Sequence, residues 1–252
     1  FAQQERFEDG RAFARFAAEA GYDAIEISHS TTEAKLRQVL DANVLPITSV
    51  HQPAPYVRMA NGRGNSHANL AAVNEEERLE AVGHASASID WAAHIGAKRL
   101  IVHLGQVSDV EEQFEEELEM RRMFDSGRAG EPRFAELREA AIARRAREAE
   151  PYVAAARRSL LELVAAARPH GIAIGLENRY HYHEIPQPLE YEALLEGILL
   201  DEAGYWHDTG HAEVLHRLGC NERHQWLHLH SRRCIGAHLH DVLGIGAEPN
   251  MR

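Results

Sequence analysis

The sequence lacks the features that mark secreted, membrane-spanning and cysteine-metal proteins. It has only two cysteines, Cys220 and Cys234, and their spacing favours neither a disulfide framework nor a cysteine zinc site. No apolar run approaches the roughly 20 residues that a transmembrane helix needs, and no charged-then-apolar leader opens the chain. These absences predict a cytoplasmic protein without membrane contact.

A basic field is also lacking, since the formal net charge is −12 and the sequence pI is about 5.8. A chain with this net charge does not attract the phosphate groups of nucleic acids, which argues against a nucleic-acid partner. A local groove can still be positive. Histidine, in contrast, is abundant, with 17 residues. Histidine is a common metal ligand and also a common surface residue, so its positions have to decide.

Segments with a period of two alternate with segments of helical period along the chain. The pattern predicts strands at 23–28, 46–51, 98–103, 171–177, 204–208 and 233–238, and helices at 5–20, 32–40, 75–95, 189–199, 210–218 and 222–230. This alternation indicates parallel βαβ units, and no composition break divides 1–252, so we expect a single α/β domain.

A longer helical region is predicted from about Val110 to Arg168, with interruptions at 125–130 and at Pro151. It exceeds what one crossover helix needs. We therefore expect an extra helix that either covers the site or forms a contact in a homo-oligomer. The acidic start of this region, 111–119, is typical of a solvated face.

All six predicted strands carry, at or near the carboxyl end, a side chain that can bind a metal ion. These residues are Glu26, His51, His103, Glu177, Asp208 and His238. Strand residues two apart share a face, and the partners on that face are often small, so the six groups are expected to converge inside a narrow barrel. The carboxyl ends of barrel strands are where such folds keep their active sites.

Simpler interpretations exist for the single residues. Asp208 or Thr209 can cap the following helix and leave His211 exposed in its first turn. His224 and His228, four residues apart, are as natural on a solvated face as around a metal ion. For the set of strand ends, however, a ring of buried carboxylates and imidazoles without a cation is costly, which favours a metal site.

Several motifs in order resemble those of the xylose isomerase-like TIM barrel superfamily, which contains sugar phosphate isomerases and epimerases and endonuclease IV. The matching stretches are Ser49-Val50-His51-Gln52-Pro53, Val102-His103-Leu104-Gly105, Gly175-Leu176-Glu177-Asn178, His207-Asp208-Thr209-Gly210-His211-Ala212 and Ala237-His238-Leu239-His240-Asp241. The resemblance implies a TIM (β/α)8-type barrel whose first and last strands are not in the chain. The last metal-binding glutamate of the family has no match, because Glu248 lies in loop-like sequence.

The resemblance also implies roles for individual residues. Glu177, Asp208 and His238 are expected to bind one divalent ion, and His211 lies near the substrate or joins the ligands. The ion is manganese, cobalt, zinc or magnesium, all compatible with carboxylate and imidazole donors. We predict catalysis by Glu177 and His211 and contacts to a small-molecule sugar substrate by five further residues: His51, His103, Arg179, Glu26 and His240. The stretch 179–183 is either a substrate-recognition segment or an exposed polar loop.

The predicted function is therefore a metal-dependent sugar or sugar phosphate isomerase or epimerase that transfers a proton through an enediolate. One alternative is a zinc phosphodiesterase on abasic DNA like endonuclease IV, which His51 and His103 favour and the acidic charge disfavours. The other is a barrel that binds a sugar without catalysis, which the unmatched glutamate favours.

Overall fold

The computed structural model describes residues 7–108 and 114–245, in which six parallel strands form one sheet. Each strand pairs with the next one in the chain, so the order in the sheet is the order in the sequence. The strands are β1 (Ile25–Ile27), β2 (Ile47–His51), β3 (Arg99–Val102), β4 (Ala173–Glu177), β5 (Ala203–Asp208) and β6 (Cys234–His238). The predicted α/β barrel class is confirmed, with six of the strands of such a barrel present.

Helices connect the strands in the βαβ manner that the sequence pattern predicted. They are α1 (Gly10–Glu19), α2 (Glu33–Ala42), α3 (Glu75–Ile95), α4 (Glu115–Asp125), α5 (Pro132–Ala167), α6 (Tyr191–Leu194), α7 (Thr209–Arg217) and α8 (Gln225–His230). The bounds of α3 agree with the prediction because both ends carry clear signals. Asn74 accepts hydrogen bonds from the first-turn amides, and Gly96 ends the helix in the left-handed conformation.

The predicted interruption at Pro151 is wrong, since α5 runs through it for 36 residues. A proline inside a helix removes one hydrogen bond, here to the carbonyl of Arg147 four residues earlier. Both residues lie on the exposed side of α5, where water can satisfy that carbonyl. The opposite side is fixed by packing, because Leu160 and Leu163 are completely buried.

The helix predicted over 189–199 is also shorter than expected. A 3-10 turn, Pro188–Glu190, leads into the single turn of α6, and the chain then turns at Gly197 with a φ of 74°. The predicted extra helix before α5 is present as α4, which packs on α5 and lies against the loop after β4. No helix in the described parts of the chain combines the length and apolar character needed to cross a bilayer.

The two faces of the sheet have different packing. Aliphatic residues such as Leu100, Ile174 and Leu176 are completely buried on the face toward the helices. On the inner face, the indole of Trp206 lies directly over Gly175 and Gly236 of the two neighbouring strands, where a Cβ would overlap the ring. Small residues on the inner face thus make room for one large ring, beside the strand ends that carry the polar groups.

Candidate metal centre and active site

The carboxyl ends of β4, β5 and β6 bring two carboxylates and one imidazole to the same place. Glu177, Asp208 and His238 end these strands, and one donor atom of each lies within 4.8 Å of the others. His238 Nδ1 is 2.6 Å from Glu177 Oε1 and 3.6 Å from Asp208 Oδ2. The predicted convergence of these side chains is therefore present, and their binding of an ion stays a prediction.

Strand register explains why these three side chains meet. Asp208 pairs with His238 across β5 and β6, and Glu177 pairs with Trp206, which lies two residues before Asp208 and shares its face. Neighbouring strands are only about 4.8 Å apart, so end residues on one face come within reach of a common ion.

Asn178 holds the end of β5 that carries Asp208. The Asp208 N–H donates to Asn178 Oδ1 at 2.7 Å, and Asn178 Nδ2 donates to the Asp208 carbonyl at 2.9 Å. Asp208 Oδ1 also accepts from the backbone N–H of His211 at 2.8 Å, as the N-cap of α7. The capping interpretation of Asp208 is thus correct, and it leaves Oδ2 directed toward His238.

His240, predicted to contact substrate, supports the Asp208 carboxylate in this structure. Its Nε2 is 2.9 Å from Asp208 Oδ1 and 3.0 Å from Oδ2. A side chain on Gly210 would overlap the His240 ring, so glycine is needed there for this approach. Burial raises the pKa of Asp208, but His211 and the hydrogen bonds from His238 and His240 lower it below its ordinary value overall.

His238 lies between two glutamates. Its Nδ1 faces Glu177, and its Nε2 is 2.8 Å from Oε1 of Glu26, whose Oε2 accepts from Ser49 Oγ at 2.6 Å. Burial lowers the pKa of His238, but hydrogen bonds to Asp208, Glu177 and Glu26 outweigh it and raise the pKa to about 12. In the metal-free chain this ring is therefore an imidazolium among three carboxylates. Glu26, predicted to contact substrate, is placed to orient the ring.

A second group that can hold a metal shares Glu177. His51 Nε2 and His103 Nε2 lie 3.3 Å and 2.5 Å from Glu177 Oε2, and the donor atoms of all three are within 4.8 Å of one another. Arg179 Nη1 enters the same place, 2.5 Å from His103 Nε2 and 3.4 Å from Glu177 Oε2. Burial and the charges of Arg179 and His51 hold the pKa of His103 well below its ordinary value.

His29, which the strand pattern did not indicate, adds a third imidazole on this side of the site. Its ring centroid lies 4.9 Å from that of His51 and 6.1 Å from that of His103. Burial, with smaller contributions from His51 and Arg179, lowers the pKa of His29 to about 3. The residue follows β1 in a turn, where the alternation used to select inward residues no longer applies.

His211 is buried beside this centre and has a defined tautomer. Its Nδ1 is 2.7 Å from the carbonyl of Asn178, and because a carbonyl only accepts, the proton is on Nδ1. Burial lowers the pKa of His211, so the ring is neutral and Nε2 carries a lone pair. Tyr180 packs on the ring with centroids 5.0 Å apart. His211 Nδ1 lies 3.8 Å from Asp208 Oδ1. The role of His211 as ligand or catalyst stays a prediction.

Glu117 contradicts the expectation that the acidic run at 111–119 is a solvated face. The side chain is completely buried on α4, and Oε1 accepts from Arg121 Nη2 at 2.7 Å and from His181 Nδ1 at 2.9 Å. Oε2 accepts from the N–H of Tyr182 at 2.9 Å and from His183 Nδ1 at 3.3 Å. These three titratable partners and Glu117 form a buried polar group that we call the Glu117 cluster.

A signal for the burial of Glu117 was present in the sequence. Phe114, Met120 and Met123 are buried at spacings of three and six residues, which puts Glu117 on the same stripe of the helix. The abundance of acidic residues around it concealed that stripe. Residues 109–113, where the predicted acidic helix begins, and Glu248 lie outside the described residues.

Only part of the predicted substrate segment 179–183 faces the candidate centre. His181 and His183 turn toward Glu117 instead. Arg179 is held from behind by Glu184, whose Oε1 accepts from Nε at 2.9 Å and from Nη2 at 2.8 Å. One nitrogen of Arg179, Nη1, therefore reaches the centre.

The profile of the xylose isomerase-like TIM barrel family matches residues 14–247. The chain belongs to the xylose isomerase-like TIM barrel family. This match covers nearly the whole sequence and agrees with the parallel sheet and its polar strand ends. No curated protein sequence matches the chain significantly.

Solved structures share the fold of this xylose isomerase-like barrel at low sequence identity. A D-tagatose 3-epimerase-like protein is 20% identical with a TM-score of 0.58, over 95% of this chain and 75% of that one. The 3-keto-D-glucoside 4-epimerase of E. coli is 15% identical with a TM-score of 0.60, over 93% and 74%. A sugar phosphate isomerase/epimerase of Parabacteroides distasonis is 16% identical with a TM-score of 0.53, over 98% and 77%.

Proposed function

We propose that this chain is a divalent-metal-dependent isomerase or epimerase of a small sugar. The observation that carries the proposal is the group formed by Glu177, Asp208 and His238, which is mostly buried at the strand ends. Membership of the xylose isomerase-like family supports this chemistry, and the sugar epimerases among the structural neighbours support the substrate class.

The residues present fit a divalent ion. Glu177 and Asp208 supply oxygen donors and His238 supplies Nδ1, a mixture that suits manganese, cobalt and zinc. Glu26 on His238 Nε2 would fix the orientation of the ring, as carboxylates do for metal-binding histidines. When bound, such an ion supplies Lewis-acid polarisation of a sugar carbonyl.

Two groups of the chain are assigned to proton transfer. Moving a hydrogen next to a carbonyl requires one group that removes a proton and one that returns it. Glu177 is ionised: burial raises its pKa, but the groups around it, among them the hydrogen bond from His238, hold the pKa well below the ordinary value. Neutral His211 is the second group: its Nε2 takes up a proton from solvent and returns it to the carbon, while the Asn178 carbonyl keeps the other proton on Nδ1. Both assignments rest on position and protonation.

Exchange with solvent deuterium tests the proposal. The chain is loaded with Mn²⁺ and incubated with a panel of ketoses and their phosphates in D₂O, and proton NMR follows the signal of the hydrogen next to the carbonyl. We expect loss of that signal for at least one sugar and none after treatment with EDTA. Tight metal binding without exchange in any sugar would instead support the sugar-binding barrel.

A second candidate function is metal-dependent cleavage of phosphodiesters at abasic sites. The observation in its favour is the second group, His51 with His103 and Glu177, which offers donors for a further ion. The net charge of −12 opposes binding to DNA. Incubation of the metal-loaded chain with a labelled duplex that contains one abasic site distinguishes the two functions, because only this second candidate cuts it.

A further inference from the structure

We propose that the guanidinium of Arg179 takes the cation position formed by His51, His103 and Glu177, so that the chain binds one divalent ion and not two. The inference rests on the proposed function, which places the ion in the group Glu177, Asp208 and His238. The third group of donors in the described residues, Glu117 with His181 and His183, already contains the guanidinium of Arg121 and is not counted as an ion position. Arg179 would then decide whether the site supports chemistry with one ion or with several.

The contacts of Arg179 are those of a cation bridging an imidazole and a carboxylate. A guanidinium only donates, so His103 Nε2, 2.5 Å from Nη1, accepts and carries no proton. His103 Nε2 lies 2.5 Å from Glu177 Oε2, and Arg179 Nη1 lies 3.4 Å from the same oxygen. His51 turns its Nε2 to the same oxygen, since its Nδ1 donates to the Gln52 carbonyl at 3.0 Å. The donor atoms of His51, His103 and Glu177 lie within 4.8 Å of one another, and Nη1 is the positively charged group beside them.

Arg179 is also fixed in this place. Glu184 Oε1 accepts from Nε and Nη2, which aligns the plane of the guanidinium and leaves Nη1 for the centre. Glu184 Oε2 accepts from the N–H of His181 at 3.0 Å, so the anchoring carboxylate is itself held. The Arg179 side chain is 9% exposed.

A second divalent ion would therefore meet a permanent charge of the same sign. Arginine does not lose its proton in proteins, so the repulsion is not relieved by a change of pH. The imidazoles of His51 and His103 keep their positions around Glu177, but His103 is a partner of Arg179, His51 is a partner of Glu177, and neither is a ligand. This arrangement favours chemistry that needs one ion over phosphodiester cleavage that needs several.

Counting bound ions tests the inference without any measurement of activity. Titration calorimetry with Mn²⁺, with metal analysis after gel filtration, is expected to give one ion per wild-type chain. Replacing the buried pair by neutral residues of similar size, Arg179→Met with Glu184→Gln, should give two. Adding His103→Ala to that variant should return the count to one. The matched control, Arg145→Met with Glu190→Gln, removes another buried pair and should keep one ion.

The two ions in the altered chain would share Glu177, so exchange coupling in the manganese EPR spectrum is a second expected result. Two ions in the wild type, or one in the folded Arg179→Met/Glu184→Gln variant, would overturn the inference. If that variant does not fold, His103→Ala in the wild type still decides. It should keep one ion, and loss of that ion would show that His103 is a ligand.

An outcome with no ion in the wild type contradicts the proposed function by itself. In that case the Arg179→Met/Glu184→Gln variant decides. If this variant gains an ion that His103→Ala removes again, the role of Arg179 is supported. If it gains no ion, the role of Arg179 is overturned together with the proposed function.

Discussion

Two buried groups of histidine and carboxylate lie close together in this molecule, and they differ in how their charge is balanced. In the Glu117 cluster, one carboxylate faces the guanidinium of Arg121, and each of its oxygens accepts two or more hydrogen bonds. At the candidate metal centre, three carboxylates, Glu26, Glu177 and Asp208, surround His238.

Comparison of the Glu117 cluster with the candidate metal centre shows that ligand types alone do not define a metal site. Both groups contain donors within 4.8 Å of one another. Arg121 makes the Glu117 cluster complete, since a buried ion pair is tolerated when its charges and hydrogen bonds are satisfied. At the candidate centre, three carboxylates face one imidazolium and the guanidinium of Arg179, which leaves negative charge that a divalent ion would balance. Substitutions in each group test this difference.

The largest effect is expected for Glu177→Gln, which removes the carboxylate common to the two metal-capable groups at the strand ends. A bound ion supplies several kcal/mol of stabilisation, so we expect deuterium exchange to fall by about 10³-fold. Mn²⁺ affinity, measured by calorimetry, should fall with it. The control is the exposed Glu139→Gln, which should change neither quantity. Unchanged affinity in Glu177→Gln would remove the centre from consideration.

Glu117→Gln should affect stability and leave metal binding intact. It leaves the buried Arg121 without its counter-ion, which costs about 3–5 kcal/mol in the free energy of unfolding. Urea denaturation measures this change. The double variant with Arg121→Met should recover much of the loss, because no uncompensated charge remains. A loss of Mn²⁺ from the folded Glu117→Gln chain would contradict the division into two groups.

Glu184 links the two groups, and its titration should be visible in the acid stability. Burial raises its pKa, but the charges of Arg179, His181 and His183 lower it to about 2 from the ordinary 4.5. A depressed pKa stabilises the fold above pH 4.5, and that contribution is lost as the pH falls toward 2. Glu184→Gln should therefore flatten the decline of unfolding free energy in this window. Equal slopes in both proteins would refute the assignment, and Glu139→Gln is the control.

Glu26→Gln tests whether the His238 ring is held by its second nitrogen. The amide of glutamine cannot match the charge of the carboxylate that faces Nε2. Substitutions of such supporting partners lower metal affinity about 10–100-fold, and we expect that range for Mn²⁺ by calorimetry. Ser49→Ala, which removes only the hydrogen bond to Glu26 Oε2, should give a smaller loss. If Glu26→Gln binds as the wild type does, His238 needs no such support.

The smallest effect is expected for the exposed pair His224 and His228 near α8. Replacing both by alanine should change the unfolding free energy by no more than about 0.5 kcal/mol, as for most surface positions. The Mn²⁺ count should be unchanged. Loss of an ion would show that these two histidines bind a metal through their spacing alone.

Sequence reasoning predicted the sheet well because each strand repeats a simple pattern. Apolar and small or polar side chains alternate along each strand, and the inward-facing series finishes at Glu, His or Asp. This alternation correctly predicted that Glu177, Asp208 and His238 lie together. It failed where that rule does not apply. His29 lies beyond its strand, and Glu117 lies on a helix, in an acidic run whose buried stripe was overlooked. Pro151 was taken as an interruption because local propensity is overridden when a helix is held by packing on its other side.

The amino-acid sequence was sufficient to establish the order of strands and helices, the family, and the residue types at the strand ends. The hydrophobic period and the motifs depend on residues that are close together in the sequence, so they can be recognised without the tertiary structure. Only the tertiary structure decided which cation each carboxylate meets. Arg121 reaches Glu117 within one helix, but Arg179 turns back between His103 and Glu177, which lies 74 residues along the chain from His103. Charge balance depends on distances across the fold, and these follow from packing and not from spacing along the chain.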